Sequence, residues 1–193
     1  SNAAANNVEA IDLKVRYQFN LGDIGLDDWG SMTIQGAATK LDVWEYQKFV
    51  TDEMSSPLGK RNRFLGEAPP LPELKANLML TWVNGNHSAT FNTRYIDEVE
   101  YDGYSWGSDF FDQFPYFTGF DTDIRDTLRP STISDVAYNY RGMEIAGTDV
   151  DLTFGARNVF DRLPQRVNDF AGMESILYDG RGRLIYGRIT IEF

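Results

Sequence analysis

The sequence contains no cysteine and a single histidine, His87. A disulfide framework, a thiolate metal site and a cysteine nucleophile are therefore excluded, as is any site built from several histidines. Long apolar runs are missing too, because no stretch approaches the ~18 consecutive apolar residues that a membrane-spanning helix requires.

Positive charge is also scarce. The chain has 18 Lys and Arg residues against 29 Asp and Glu, which gives a formal net charge of −11 over 193 residues. That balance argues against a nucleic-acid partner. Aromatic residues make up 14% of the chain, a content that suits strands, membrane-interface girdles or a ligand-binding surface.

The first residues, Ser1-Asn2-Ala3, are typical of what remains after an expression tag is cleaved. We expect residues 1–7 to be a tag remnant and leader, and residues 8–193 to carry the fold. The natural protein is expected to extend upstream of this segment.

Apolar and polar residues alternate with period two in segment after segment, and helical spacing is absent over any useful length. The pattern predicts an all-β fold, an antiparallel up-and-down meander of about seven strands. The predicted strands cover residues 11–19, 32–46, 74–82, 88–95, 136–140, 150–157 and 185–193.

The predicted connections alternate in length. Short turns surround residues 22–25, 84–86 and 142–147, whereas long connections cover about residues 47–72, 101–130 and 160–182. Short turns at one end and long loops at the other are typical of an outer-membrane barrel, in which the short turns face the periplasm. We therefore expect the long connections to be extracellular, although alternation alone fits a soluble sandwich equally well.

The carboxyl-terminal third contains two motifs in order, Leu152-Thr153-Phe154-Gly155-Ala156-Arg157-Asn158-Val159-Phe160-Asp161 with Pro164, and Tyr178-Asp179-Gly180-Arg181-Gly182-Arg183 before a final Phe193. This arrangement resembles the end of a TonB-dependent outer-membrane receptor. Residues 74–82 and Arg94-Tyr95 resemble the preceding hairpin of that family. The resemblance is strong over residues 73–193, and residues 8–72 are only compatible with it.

The resemblance implies that this chain is part of a barrel of about 22 strands, with the plug domain and upstream strands absent. Members of the family bind a scarce nutrient such as a siderophore, cobalamin or a glycan outside the cell. They import it with energy from the TonB complex. The implied location is the outer membrane, in contact with its lipid, with no catalytic residue, cofactor or metal. The isolated segment is expected to self-associate through its open edges.

The resemblance also implies that the last strand is the signal recognised by the outer-membrane assembly machinery, carried by Ile189, Ile191 and Phe193. An ordinary apolar strand end is the alternative. In the turn after the sixth strand, Asn158 and Asp161 are expected to bind local backbone groups and to set the turn.

The connection from Asp97 to Arg129 combines carboxylates and aromatic rings more densely than the rest of the chain. Aromatic faces stack on sugars or flat ligands, so this connection is the best candidate for ligand contact. Its alternative is a solvated loop that packs on itself. The candidate ligand-contact residues are Tyr101, Tyr104, Trp106, Asp109, Asp112, Tyr116, Asp121 and Asp123.

Two other function classes stay open at this point. A secreted carbohydrate-binding β-sandwich would also have aromatic-rich loops and an acidic surface, and a glycan-cleaving enzyme would need two facing carboxylates. His87 lies in a tight turn with no apparent nucleophile nearby, so a catalytic triad has little support. Lys60, Arg61 and Arg63 are expected either to meet an anionic ligand or to be solvated.

Overall fold

The computed structural model describes residues 5–61, 69–100, 127–145, 147–166 and 173–192. Nine strands and a short 3-10 helix, Leu21–Ile24, account for the regular structure in these ranges. The strands are β1 Ala5–Asn20, β2 Ser31–Gln47, β3 Leu74–Asn84, β4 His87–Ile96, β5 Val99–Glu100, β6 Thr127–Leu128, β7 Ser131–Ile145, β8 Thr148–Arg157 and β9 Leu184–Glu192.

Seven strands form one antiparallel sheet in the order β1-β2-β3-β4-β7-β8-β9, so each strand pairs with the strands of this sheet that come before and after it in the sequence. The predicted all-β meander of about seven strands is confirmed. β5 and β6 form a separate two-stranded sheet that the alternation pattern did not predict. β1 and β9 are the two edge strands, and no other described strand pairs with the outer edge of either.

Short and long connections separate at the two ends of the sheet, as predicted. β3 and β4 are joined by a two-residue turn, and β7 and β8 are joined by a turn with Gly147 at φ 80°. The connection between β1 and β2 folds back over the end of β3, where the Trp82 indole N–H donates to the carbonyl of Trp29 at 2.7 Å. All three short connections lie at the end of the sheet where β9 finishes.

The register keeps the apolar side chains of all seven strands in phase. One row across the sheet reads Tyr17, Ile34, Leu80, Phe91, Val136, Ala156 and Ile185. Each directly opposed pair places its side chains on the same face, so these residues define an apolar face. Two polar members of this face, Thr93 and Ser134, hydrogen bond to each other at 3.0 Å.

The apolar face is uncovered, and its side chains are most exposed on the edge strands. On β1, Ile11, Leu13 and Tyr17 are about 60% exposed, and on β9 Ile185 and Ile189 are 75% and 67% exposed. A strand in a sandwich core would bury these side chains against a second sheet. Among the described residues, no second layer of strands lies over this face.

Candidate functional site

An aromatic row lies next to the short-turn end of the apolar face. The register aligns Phe19, Met32, Trp82, Ala89, Tyr138, Phe154 and Gly187 across the seven strands. Tyr17 stacks on Phe19 with ring centroids 5.5 Å apart. His87 extends the cluster, because its Nδ1 lies 2.6 Å from the Tyr138 hydroxyl and its ring meets Tyr140 edge-on at 4.8 Å. Rings with polar edges at one end of an apolar band suit a membrane–water interface.

The three long connections come together at the opposite end of the sheet, in a unit that we call the loop junction. Its apolar centre consists of Val99 in β5, Leu128 in β6 and Tyr178, all at least 92% buried, with Ile96 and Leu177 packed against them. The Tyr178 hydroxyl donates to the carbonyl of Arg129 at 3.3 Å. The loop junction is the largest buried apolar cluster of the described chain.

A buried ion pair ties the first long connection to the third within the loop junction. The Arg61 Nε donates to a carboxylate oxygen of Glu174, and both residues are at least 96% buried. The backbone N–H of Arg61 also donates to the carbonyl of Glu100 at 3.0 Å, which brings in the second long connection. Arg61 was expected to meet an anionic ligand or solvent; its side chain instead serves an internal contact. Arg63 lies outside the described residues.

The motif Tyr178-Asp179-Gly180-Arg181 in the third long connection contains groups with shifted pKa values. Burial, followed by the nearby carboxylates of Glu174 and Asp97, raises the pKa of Tyr178 to about 12. Hydrogen bonds from the Arg181 guanidinium lower the pKa of Asp179 to about 2. The ion pair between Arg181 and Asp179 is bidentate, with Nε and Nη2 of Arg181 lying 2.6–3.0 Å from the carboxylate oxygens. Unlike the pair between Arg61 and Glu174, it is exposed. The Tyr178-Asp179-Gly180-Arg181 motif thus contributes one buried ring and one solvent-facing ion pair.

Asn158 and Asp161 set the turn after β8, as predicted. Asn158 adopts φ 50°, its Oδ1 accepts from the N–H of Arg162 at 2.9 Å, and its Nδ2 donates to the Arg162 carbonyl at 2.7 Å. Asp161 adopts φ 53°, and its Oδ1 accepts from the N–H of Arg183 at 2.7 Å. The side chain of Asn158 is buried. Because Asp161 accepts from the N–H of Arg183, this motif joins the two ends of the third long connection.

Replacing Asn158 with alanine is expected to reduce the free energy of unfolding by about 2–4 kcal/mol. The substitution removes two hydrogen bonds between the buried Asn158 amide and the Arg162 backbone, at about 0.5–1.5 kcal/mol for each. Alanine also lacks the local hydrogen bonds through which asparagine tolerates a positive φ. Equilibrium urea unfolding followed by tryptophan fluorescence measures the change. Asn158→Gly is the matched control, since it removes the hydrogen bonds without the backbone strain. Full stability in Asn158→Gly would contradict the hydrogen-bonding role.

The candidate ligand-contact residues, from Tyr101 to Asp123, lie outside the described residues, so their grouping stays a prediction. Of the proposed assembly signal, Ile189 and Ile191 lie on the apolar face of β9 opposite Leu152 and Val150. Phe193 lies outside the described residues. In the described part of the chain, no three His, Asp or Glu side chains come together as metal ligands.

The sequence did not predict that Glu174 and Tyr178 hold the long connections together. Their role depends on contacts with residues far away along the chain, since 113 positions separate Arg61 from Glu174. A glutamate flanked by Met173 and Ser175 gives no periodic signal that distinguishes it from a solvated one.

Compared with protein-family models, curated proteins and solved structures, this chain gives no match. Across the residues that are described, no helix has the length and apolar character needed to cross a membrane.

Proposed function

We propose that this chain is a wall segment of an outer-membrane TonB-dependent receptor, a transporter that binds a scarce nutrient outside the cell and imports it. One observation carries the proposal: all seven strands present their apolar side chains on one face, which no second layer of described strands covers. These side chains are exposed on the edge strands and mostly half-buried by their neighbours on the inner strands. Leu13, Val15 and Ile185 are 60%, 52% and 75% exposed. A continuous apolar face of this kind requires a covering, and lipid on the outside of a barrel provides one.

Three further observations support the proposal. The aromatic row borders the apolar face at the short-turn end, where a barrel has its periplasmic girdle. The long connections all emerge at the other end and fold into the loop junction, which suits an extracellular surface that presents ligand-binding residues. The motifs around Asn158 and Tyr178, which suggested the family, both occupy the third long connection.

Roles for each surface follow from this proposal. The apolar face contacts lipid, the polar face lines the lumen, and β1 and β9 continue into the remaining strands of the barrel. The aromatic and acidic connection between β5 and β6 contacts the nutrient. Ile189, Ile191 and Phe193 present the assembly signal, and the TonB complex acts through a region upstream of this chain. The segment performs no catalysis.

The secreted sandwich alternative has no specific observation in its favour. A sandwich needs a second sheet of comparable size, and the only other sheet among the described residues has two two-residue strands.

A labelling experiment in lipid vesicles tests the proposal. Because the chain has no cysteine, a single cysteine can be introduced at Leu80 or Phe91 on the apolar face, or at Thr81 or Thr90 on the polar face. These residues form two directly opposed pairs on β3 and β4. An environment-sensitive fluorophore on each cysteine reports its surroundings in vesicles that contain lipids with quenchers on the acyl chains.

We expect lipid quenching at positions 80 and 91 and aqueous quenching by iodide at positions 81 and 90. Adjacent residues on one strand then give opposite results, because successive side chains point to opposite faces. Equal quenching at all four positions would overturn the proposal. Protection at positions 80 and 91 in the absence of lipid or detergent would indicate a sandwich instead.

A further inference from the structure

The polar face of β1–β4 is basic in a chain that is acidic overall. The register places four cationic side chains on this face, Lys14, Arg16, Lys75 and Arg94, against a single carboxylate, Asp12. The Asp12 carboxylate accepts a hydrogen bond from Thr39 at 2.5 Å, and Arg94 pairs with Asp135 at 3.0 Å. Lys14 and Arg16 form no ion pair with the described residues, so their charge is available to a ligand.

A depression in this basic surface has a volume of about 340 Å³. Lys14 and Arg16 border it on β1, and Gln35, Asn77 and Met79 border it on β2 and β3. It forms because Ala37, which lies between Lys14 and Asn77 in the register, has a side chain of one carbon. Alternate residues of a strand are about 7 Å apart and next-but-one strands about 10 Å apart, which leaves room for a small molecule between the polar groups.

We propose that this depression binds a small anion with two or more negative charges, carried by phosphate or carboxylate groups. The Arg16 guanidinium offers a fork that matches an oxyanion, and the Lys14 ammonium offers a compact charge. The amide groups of Gln35 and Asn77 supply further donors. The volume lies at the lower end of the range for small-molecule sites, which favours a small solute over the surface of an acidic protein.

The inference rests on the proposed function in one respect, the placement of the polar face in an aqueous lumen. Given that placement, the anion is a solute of the lumen and a different molecule from the nutrient at the second long connection, whose carboxylates would repel it. The anion meets Lys14 and Arg16 in the wall of the lumen, apart from the long connections that contact ligand outside.

Calorimetric titration of the full chain in neutral detergent micelles tests the inference, with inorganic pyrophosphate and citrate as separate probes. We expect saturable binding of at least one probe, weakened at least about fivefold in the double variant Lys14→Gln/Arg16→Gln and weakened again by raising NaCl from about 50 to about 500 mM. Preference for pyrophosphate indicates a phosphorylated ligand, and preference for citrate indicates a polycarboxylate.

Arg188→Gln is the matched control, because Arg188 lies on the same polar face but on β9, at the opposite edge of the sheet. Its binding is expected to equal that of the unmodified chain. The inference is overturned if neither probe binds, if Arg188→Gln weakens binding as much as the double variant, or if only an acidic peptide binds. Lipid quenching at positions 80 and 91 reports separately on the proposed function, so failure of one can be distinguished from failure of the other.

Discussion

Replacing Glu174 with leucine is expected to destabilise the loop junction by about 3–5 kcal/mol, because the charge of Arg61 then stays buried without its carboxylate. The effect is local, so it should be measured as amide hydrogen exchange. The Glu100 N–H, which donates to the carbonyl of Gly59 at 2.6 Å, is expected to exchange at least about 100-fold faster. The Leu80 amide in the middle of the sheet is expected to keep its rate.

Two further variants test whether the expected loss of protection is caused by leaving a buried charge without its partner. The double variant Arg61→Met/Glu174→Leu removes both charges and is expected to recover most of the lost protection, because an apolar pair of similar volume often replaces a buried ion pair without loss. Asp179→Asn breaks the exposed pair with Arg181 and is expected to change little. If Glu174→Leu alone leaves the exchange of Glu100 unchanged, the ion pair does not hold the long connections together.

Replacing Gly30 with alanine is expected to destabilise the sheet by at least about 3 kcal/mol. Gly30 adopts φ 79° directly before β2, and a β-carbon there would lie 2.0 Å from the carbonyl oxygen of Val83. Backbone atoms of a paired strand cannot move aside as the end of a side chain can, so overpacking adds to the cost of the left-handed conformation. Equilibrium urea unfolding followed by tryptophan fluorescence measures the loss.

Gly25→Ala separates the two causes. Gly25 has nearly the same φ, 83°, but a β-carbon there meets no atom within 4 Å. Only the conformational cost of about 1–2 kcal/mol should then apply. Equal losses in Gly25→Ala and Gly30→Ala would show that the contact with Val83 does not matter.

The seven strands and their shared apolar face could be predicted from the sequence because alternation is a local property. Ile11, Leu13 and Val15 show which residues of β1 share a face without reference to another strand. In an antiparallel meander alternate connections lie at the same end of the sheet, so the alternation of short and long connections predicts that the long ones lie together. The ends of strands were less predictable. β7 extends from Ser131 to Ile145, beyond residues 136–140. Pairing with β4 continues back to Ser131 and pairing with β8 continues to Ile145, where the alternation is weak.

The loop junction could not be predicted from the sequence, since its contacts join residues far apart in the chain. β5 and β6 have two residues each, too few for any period, and Val99 pairs with Leu128 across the second long connection. Arg61 was the clearest failure, because a cation on a loop is usually solvated and only the fold brings Glu174 to it. The candidate ligand-contact residues from Tyr101 to Asp123 lie outside the described residues and stay predictions.

The seven-stranded sheet has a parity that constrains any closed assembly. Neighbouring strands run in opposite directions, so with an odd number of strands the two edges, β1 and β9, run in the same direction. These edges cannot join each other as antiparallel neighbours. An antiparallel barrel that contains this sheet therefore draws an odd number of further strands from elsewhere. Addition of any even number would bring two strands of the same direction together at the seam.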